Sequence, residues 1–183
     1  MKKIVAITSA LLMMLSAGSL AAVAEDAPAK ASVYVTIADK DGKLAMTQQA
    51  VTVTDADGDN ALTINDALIA AHEASYPGGA AAGYASENTT YGLSMTKLWG
   101  TANGGGYGYY VNNAAAWSLA DAVKDGDYVN AFVYTDLTGW SDAYTFFDVH
   151  TVSTKAGAEV TLTLSAAGYD ADYNPLTLPV KNA

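Results

Sequence analysis

From residue 32 the chain alternates apolar and polar positions, with Val33, Val35 and Ile37 on one side of an extended segment and Tyr34 and Thr36 on the other. A period of two marks a strand with one buried face. The Asp41-Gly42 step that follows is a hairpin signal, and it predicts a second strand ending in Val51-Thr52-Val53. The period then changes. Ile64, Ala67, Leu68 and Ala71 recur at i, i+3, i+4 and i+7, which lays one apolar stripe along a helix. That helix should begin near Thr63 and stop before Pro77-Gly78-Gly79. Residues 77–106 are rich in glycine, alanine and asparagine, with Tyr84, Tyr91, Leu93, Leu98 and Trp99 set among them. So long a connection inside a compact domain is usually functional or mobile, although those side chains can also pin it to a core.

Alternation resumes in GYGYYVNN (residues 106–113) and DYVNAFVY (residues 127–134), which predicts two further strands. WSLADAV lies between them, and Asp125-Gly126 turns the chain into the second of the pair. From Trp140 the pattern runs AYTFFDVHTV, then EVTLTLSA, then a tail with Pro175 and Pro179, where two more strands are expected. Together these elements predict an α+β fold. A mixed sheet with one main helix should occupy residues 32–138, followed by an all-β segment over 139–183 that is an appendage or part of a second β domain.

The N-terminus has a separate character. MKKIVAITSALLMMLSAGSLAAVA carries Lys2 and Lys3, then an apolar run from Ile4 to Leu15, then small residues ending in Ala22-Val23-Ala24. This is the pattern of a secretory signal cleaved after Ala24, with residues 25–31 as a flexible leader. The apolar run is too short for a membrane span, so no transmembrane segment is expected after cleavage. The protein is therefore expected to be secreted or held at the cell surface.

Charge narrows the partners. The formal net charge is −10, and removing Lys2 and Lys3 with the signal takes it to −12, with seven lysines and no arginine left. Such a surface repels phosphate backbones, which argues against nucleic acid, and attracts divalent cations. Cysteine is absent, so stability must come from packing or a bound metal.

The acidic stretch DADGDNALTIND, residues 55–66, gives that attraction a place. Calcium takes six to eight hard oxygen ligands, and a 12-residue loop offers them from positions 1, 3, 5, 7, 9 and 12. Counted from Asp55, these are Asp55, Asp57, Asp59, Ala61 through its carbonyl, Thr63 directly or through water, and Asp66. Position 6, where the loop turns sharply and glycine is usual, is Asn60, a residue that tolerates positive φ. Aspartate replaces glutamate at position 12, which points to weak affinity in the range of extracellular modules. Thr63 and Asp66 also read as a capping box, with aspartate in place of Glu or Gln. Capping accounts for one aspartate of the four. Three carboxylates at alternate positions of one loop repel one another unless a cation sits among them.

A calcium-type loop followed by one helix resembles the calcium segments of dockerins. Dockerins carry two such segments. Asp170, Asp172 and Asn174 begin a similar spacing here, but Pro175 and Lys181 break it. The wider order of elements resembles the β-grasp-like domain shared by the transcobalamin C-terminal domain and bacterial surface proteins. The likeness is carried by VTVTD followed by LTINDALIAAH, by GYGYYVNN and by VKDGDYVNAFVY, over about residues 31–136. It implies a β-grasp-like mixed sheet with Tyr109, Tyr110 and Asn112 near a ligand-facing edge, and in vertebrate relatives the domain helps to hold cobalamin. Asn113 departs from the glycine usual in the family.

Other chemistry is thin. NGGGYGYY is glycine-rich, but a strand follows it and no lysine is adjacent, so it fails as a phosphate loop. His72 and His150 are the only histidines and lack metal-ligand spacing, and no nucleophile motif is present, so no enzyme activity is expected. Aromatic residues are numerous, and aromatic faces suit sugar stacking or partner contact. Tyr107, Tyr109, Tyr110, Asn112 and Trp117 are the candidate ligand patch. The expected function is a calcium-binding module for an extracellular glycan, corrinoid or protein; the alternative is a structural spacer in a surface assembly without a ligand of its own.

Overall fold

The structure, a computed structural model, describes residues 29–172 and 174–180, so the expected signal over 1–24 and the leader residues 25–28 lie outside it. Strand β1 (Lys30–Ala38) pairs antiparallel with β2 (Leu44–Thr54) across the turn that contains Asp41 and Gly42. Gly42 sits at φ 71, where a side chain would be strained. Lys30 and Ala31, assigned to the leader from composition, are the first two residues of β1. The pairing slips between Val35 and Ile37; Gln48, at φ 41, donates its N–H to the Thr36 hydroxyl at this irregularity.

Helix α1 (Ile64–Ser75) follows the acidic loop and begins where the capping residues predict, with Thr63 as N-cap. After a short helix α2 (Gly79–Gly83), the long connection contains a hairpin, β3 (Ala85–Thr89) and β4 (Gly92–Lys97). Then come β5 (Tyr107–Val111), the two-residue β6 (Ala114–Ala115) and β7 (Tyr128–Val133). The main sheet has the order β2-β1-β7-β5-β6, with β1 and β7 parallel and the other neighbours antiparallel. This is a mixed α/β arrangement rich in strands.

Alternation decides the two faces of the sheet. Val33, Val35, Ile37, Val53 and Val129 are fully buried on the inner face, where Ile64, Ala67, Leu68 and Ala71 of α1 meet them. Their burial from water is the main force holding helix to sheet. The outer face carries Tyr34 and Thr36 of β1, Tyr128, Asn130 and Phe132 of β7, and Tyr110 of β5. Gly108 is required there, because a Cβ on it would stand 2.2 Å from the Phe132 ring.

The C-terminal segment forms a separate antiparallel sheet in the order β10-β9-β8, from β8 (Thr145–Phe147), β9 (Leu164–Tyr169) and β10 (Pro175–Pro179). EVTLTLSA joins a strand only from Leu164, and the proline-bounded tail supplies an edge strand that alternation alone did not predict. Prolines are tolerated at such positions because an edge strand leaves some N–H groups without a ladder partner. Among the described residues no helix is long and apolar enough to cross a membrane.

Candidate functional site

Two places carry chemistry, the acidic loop before α1 and the aromatic outer face of the main sheet. In the loop the chain folds back on the first aspartate. Asp55 accepts the N–H groups of Gly58, Asp59 and Asn60 at 2.7, 3.1 and 3.0 Å. Asn60 takes φ 66, the left-handed conformation that lets position 6 turn. Asp59 accepts the Ala61 N–H at 2.8 Å, which fixes the next step of the coil. The result brings ligand atoms of Asp55, Asp57 and Asp59 within 4.8 Å of one another, close enough to hold a metal ion. Asp55 is half-buried, and Asp57 and Asp59 face solvent. The donor set is all carboxylate oxygen, which suits a hard divalent cation and not a soft one.

Asp66 lies outside this group of three. It is fully buried, with one oxygen accepting the Ala56 N–H at 2.8 Å and the other accepting the Thr63 N–H and hydroxyl at 2.9 and 2.7 Å. The Thr63 hydroxyl accepts the Asp66 N–H in return, completing a capping box. Asp66 therefore staples the first turn of the helix to the second residue of the loop. The remaining N–H groups of the first turn are met from another quarter, since Ile64 and Asn65 donate to the carbonyls of Asp121 and Leu119.

Asn65 was not singled out from the sequence, yet it aims the loop. Its amide N–H donates to Asp57 at 2.8 Å, and its carbonyl oxygen accepts the hydroxyls of Tyr84 and Ser86 at 2.8 and 2.9 Å. An asparagine inside a helix pattern gives no periodic signal, and its partners come from distant parts of the chain. Burial pushes the Tyr84 hydroxyl well above its ordinary pKa, so it stays a donor to Asn65.

The five residues of the candidate ligand patch do not share a surface. Tyr107 is buried on the inner side, its hydroxyl 2.9 Å from the Thr96 and Thr101 carbonyls and accepting the Asn103 N–H. Tyr109 is half-buried against the same core. Tyr110 points to the opposite face, as the period of two requires. Asn112 turns the chain at φ 50, donates to Asp127 and accepts the Tyr128 N–H, so both ends of its amide are engaged. Asn113 follows at φ 67, a conformation in which glycine is the usual residue. Trp117 is 70% exposed.

The outer face forms the better-defined site. Tyr144, from the C-terminal segment, lies flat on Tyr110 with ring centroids 4.1 Å apart and hydrogen-bonds Asn113 at 2.8 Å. His150 stacks on Tyr128 at 3.6 Å, and Tyr128 in turn on Tyr34 at 4.8 Å. Burial raises the hydroxyl pKa of Tyr110 and of Tyr144 to about 12, so both stay neutral across the ordinary pH range. Between this face and the segment is a cleft of about 490 Å³. His72, by contrast, is fully buried on α1, its two ring nitrogens bonded to the Leu68 carbonyl and the Trp99 N–H, and so it is a structural side chain. No family model matches this chain, and no curated protein matches it at a significant level.

Proposed function

We propose that the protein is a calcium-binding module of the extracellular space that holds an extracellular ligand and performs no catalysis. The observation that carries this reading is the convergence of Asp55, Asp57 and Asp59 from alternate loop positions, with the intervening N–H groups gathered on Asp55. Alternate carboxylates in a coil closed on its first aspartate are the arrangement that presents hard oxygens to calcium. Asp55, Asp57 and Asp59 would hold the ion, with the Ala61 carbonyl next in the loop. Calcium would neutralise their repulsion and fix the loop against α1 through the Asn65 and Asp66 bonds. Its role is structural.

A β-grasp-like fold is the finer reading of the sheet. The order β2-β1-β7-β5-β6, a parallel central pair and one main helix after the first hairpin support it. On that reading the chain resembles the transcobalamin C-terminal domain in fold, and secretion through residues 1–24 would put the loop where calcium is abundant.

Calorimetric titration of the chain with calcium tests the proposal. One ion should bind with a Kd of about 10⁻⁴–10⁻³ M, the range of extracellular modules. Loss of that binding in Asp57→Asn with Asp59→Asn would support the assignment, and absence of binding to the unaltered chain at 10 mM calcium, well above that range, would overturn it.

A further inference from the structure

We propose that the cleft between the outer face of the main sheet and the C-terminal segment is a binding site for a short neutral glycan; this rests on reading the protein as a ligand-binding module and names the ligand. The cleft measures about 490 Å³, within the span of small-ligand sites. Its walls come from both parts of the chain: Phe132 and Asn130 from β7, and Tyr144, Phe146 and His150 from the C-terminal segment. The ring stacks described above fix their geometry.

Charge selects the ligand class. Among the described residues no lysine or arginine lines the cleft, so a phosphate or carboxylate would lose water there without a lysine or arginine counter-charge from them. Asp142, the one carboxylate among the described lining residues, is largely committed: one of its oxygens accepts the Thr135 N–H and hydroxyl and the other the Asp136 N–H, which uses three of its roughly four acceptor positions. The polar groups that remain include amides and hydroxyls. The Asn130 side-chain amide has no hydrogen-bond partner among the described residues, and Thr47 and Thr145 also line the cleft.

Tyr128 and His150, and Tyr144 and Phe132, stack on one another, whereas Phe147 lines the cleft 49% exposed and stacks on no ring among the described residues, so it is the aromatic surface offered to a pyranose ring. The C–H faces of such a sugar carry partial positive charge and lie favourably on the negative face of an aromatic ring, while its hydroxyls bond to amides and alcohols. An extended peptide would add only at a free strand edge: β1 and β7 are paired on both sides, whereas β2 and β8, which also line the cleft, are edge strands, so a peptide is the competing occupant that the titration separates. A corrinoid is too large to be enclosed in this volume.

The test is titration of the intact chain, in saturating calcium, with cellotriose, maltotriose, mannotriose and N-acetylchitotriose, followed by amide chemical shifts. At least one trisaccharide should produce saturable shifts centred on Asn130, Phe132 and Tyr144. Its affinity should fall at least tenfold in Asn130→Leu and in His150→Ala, the latter lying outside the strands, and should be unchanged in Tyr91→Ala at the tip of the β3–β4 hairpin. If none of these sugars binds but a peptide or cobalamin does, the glycan assignment fails and the binding-module reading stands. If no probe of any class binds, both fail.

Discussion

Asp66 and Asp59 stand seven residues apart in one acidic stretch and do different work. Each Asp66 oxygen accepts from the backbone, so an isosteric amide there must turn its own N–H toward an N–H that already points at it. Asp66→Asn should therefore destabilise the fold by about 2–3 kcal/mol even in chelator. Asp59→Asn should cost stability mainly when calcium is present, because its loss removes a ligand. Paired denaturation curves for both variants with and without calcium separate the two roles. At this scale the sequence exposed the carboxylates, whose alternate spacing is visible in DADGD, and the Thr63–Asp66 box, whose spacing is equally local. It hid Asn65, because the groups that make Asn65 matter, Tyr84 and Ser86, are about twenty positions away.

Helix α1 is anchored at its far end by His72. A carbonyl can only accept and an amide N–H can only donate, so Nδ1 must carry the proton to Leu68 while Nε2 accepts from Trp99. The imidazolium has no place in this pairing, and burial lowers the His72 pKa below its ordinary value of 6.5, partly opposed by the Leu68 bond. The unfolded chain therefore binds more protons than the folded one once pH falls below about 6.5. Stability is fully present above that pH and declines below it, by at most about 1.4 kcal/mol per unit until the folded-state pKa is passed. Urea midpoints between pH 7.5 and 5.5 should fall for the unaltered chain and fall less for His72→Gln. Elements were readable wherever one face is buried, as in α1 and β7, and in β1 apart from Lys30 and Ala31 at its start. The hairpin β3–β4 escaped because β3, ASENT, turns mostly to solvent and leaves no alternation to detect. The same cause explains β10, whose residues are all exposed.

The whole molecule joins a sheet-and-helix layer to a small C-terminal sheet through aromatic contacts and not through a continuous core. Tyr144 covers Tyr110 and Phe132, and Trp140 meets Tyr134 edge-on at 5.3 Å. Tyr144→Ala should lower stability by about 1–2 kcal/mol, read from denaturant midpoints, and leave calcium affinity unchanged, since the loop lies before α1 on the other layer. This joining could not be read from alternation, which reports that Tyr110 has an outward face but not what lies on it. The five aromatic and polar residues grouped from sequence separated for the same reason, because neighbours on a strand point to opposite sides. The central claim, that calcium clamps the loop to the helix, is tested most directly by thermal melting in 10 mM calcium against chelator. At a Kd of about 10⁻⁴–10⁻³ M, 10 mM calcium is a tenfold to hundredfold excess and contributes about 1.4–2.7 kcal/mol, which for a domain of this size raises Tm by about 3–10 °C. The account predicts that rise in the unaltered chain and its loss in Asp55→Ala with Asp59→Ala; the same melting curve with calcium and with chelator would contradict it.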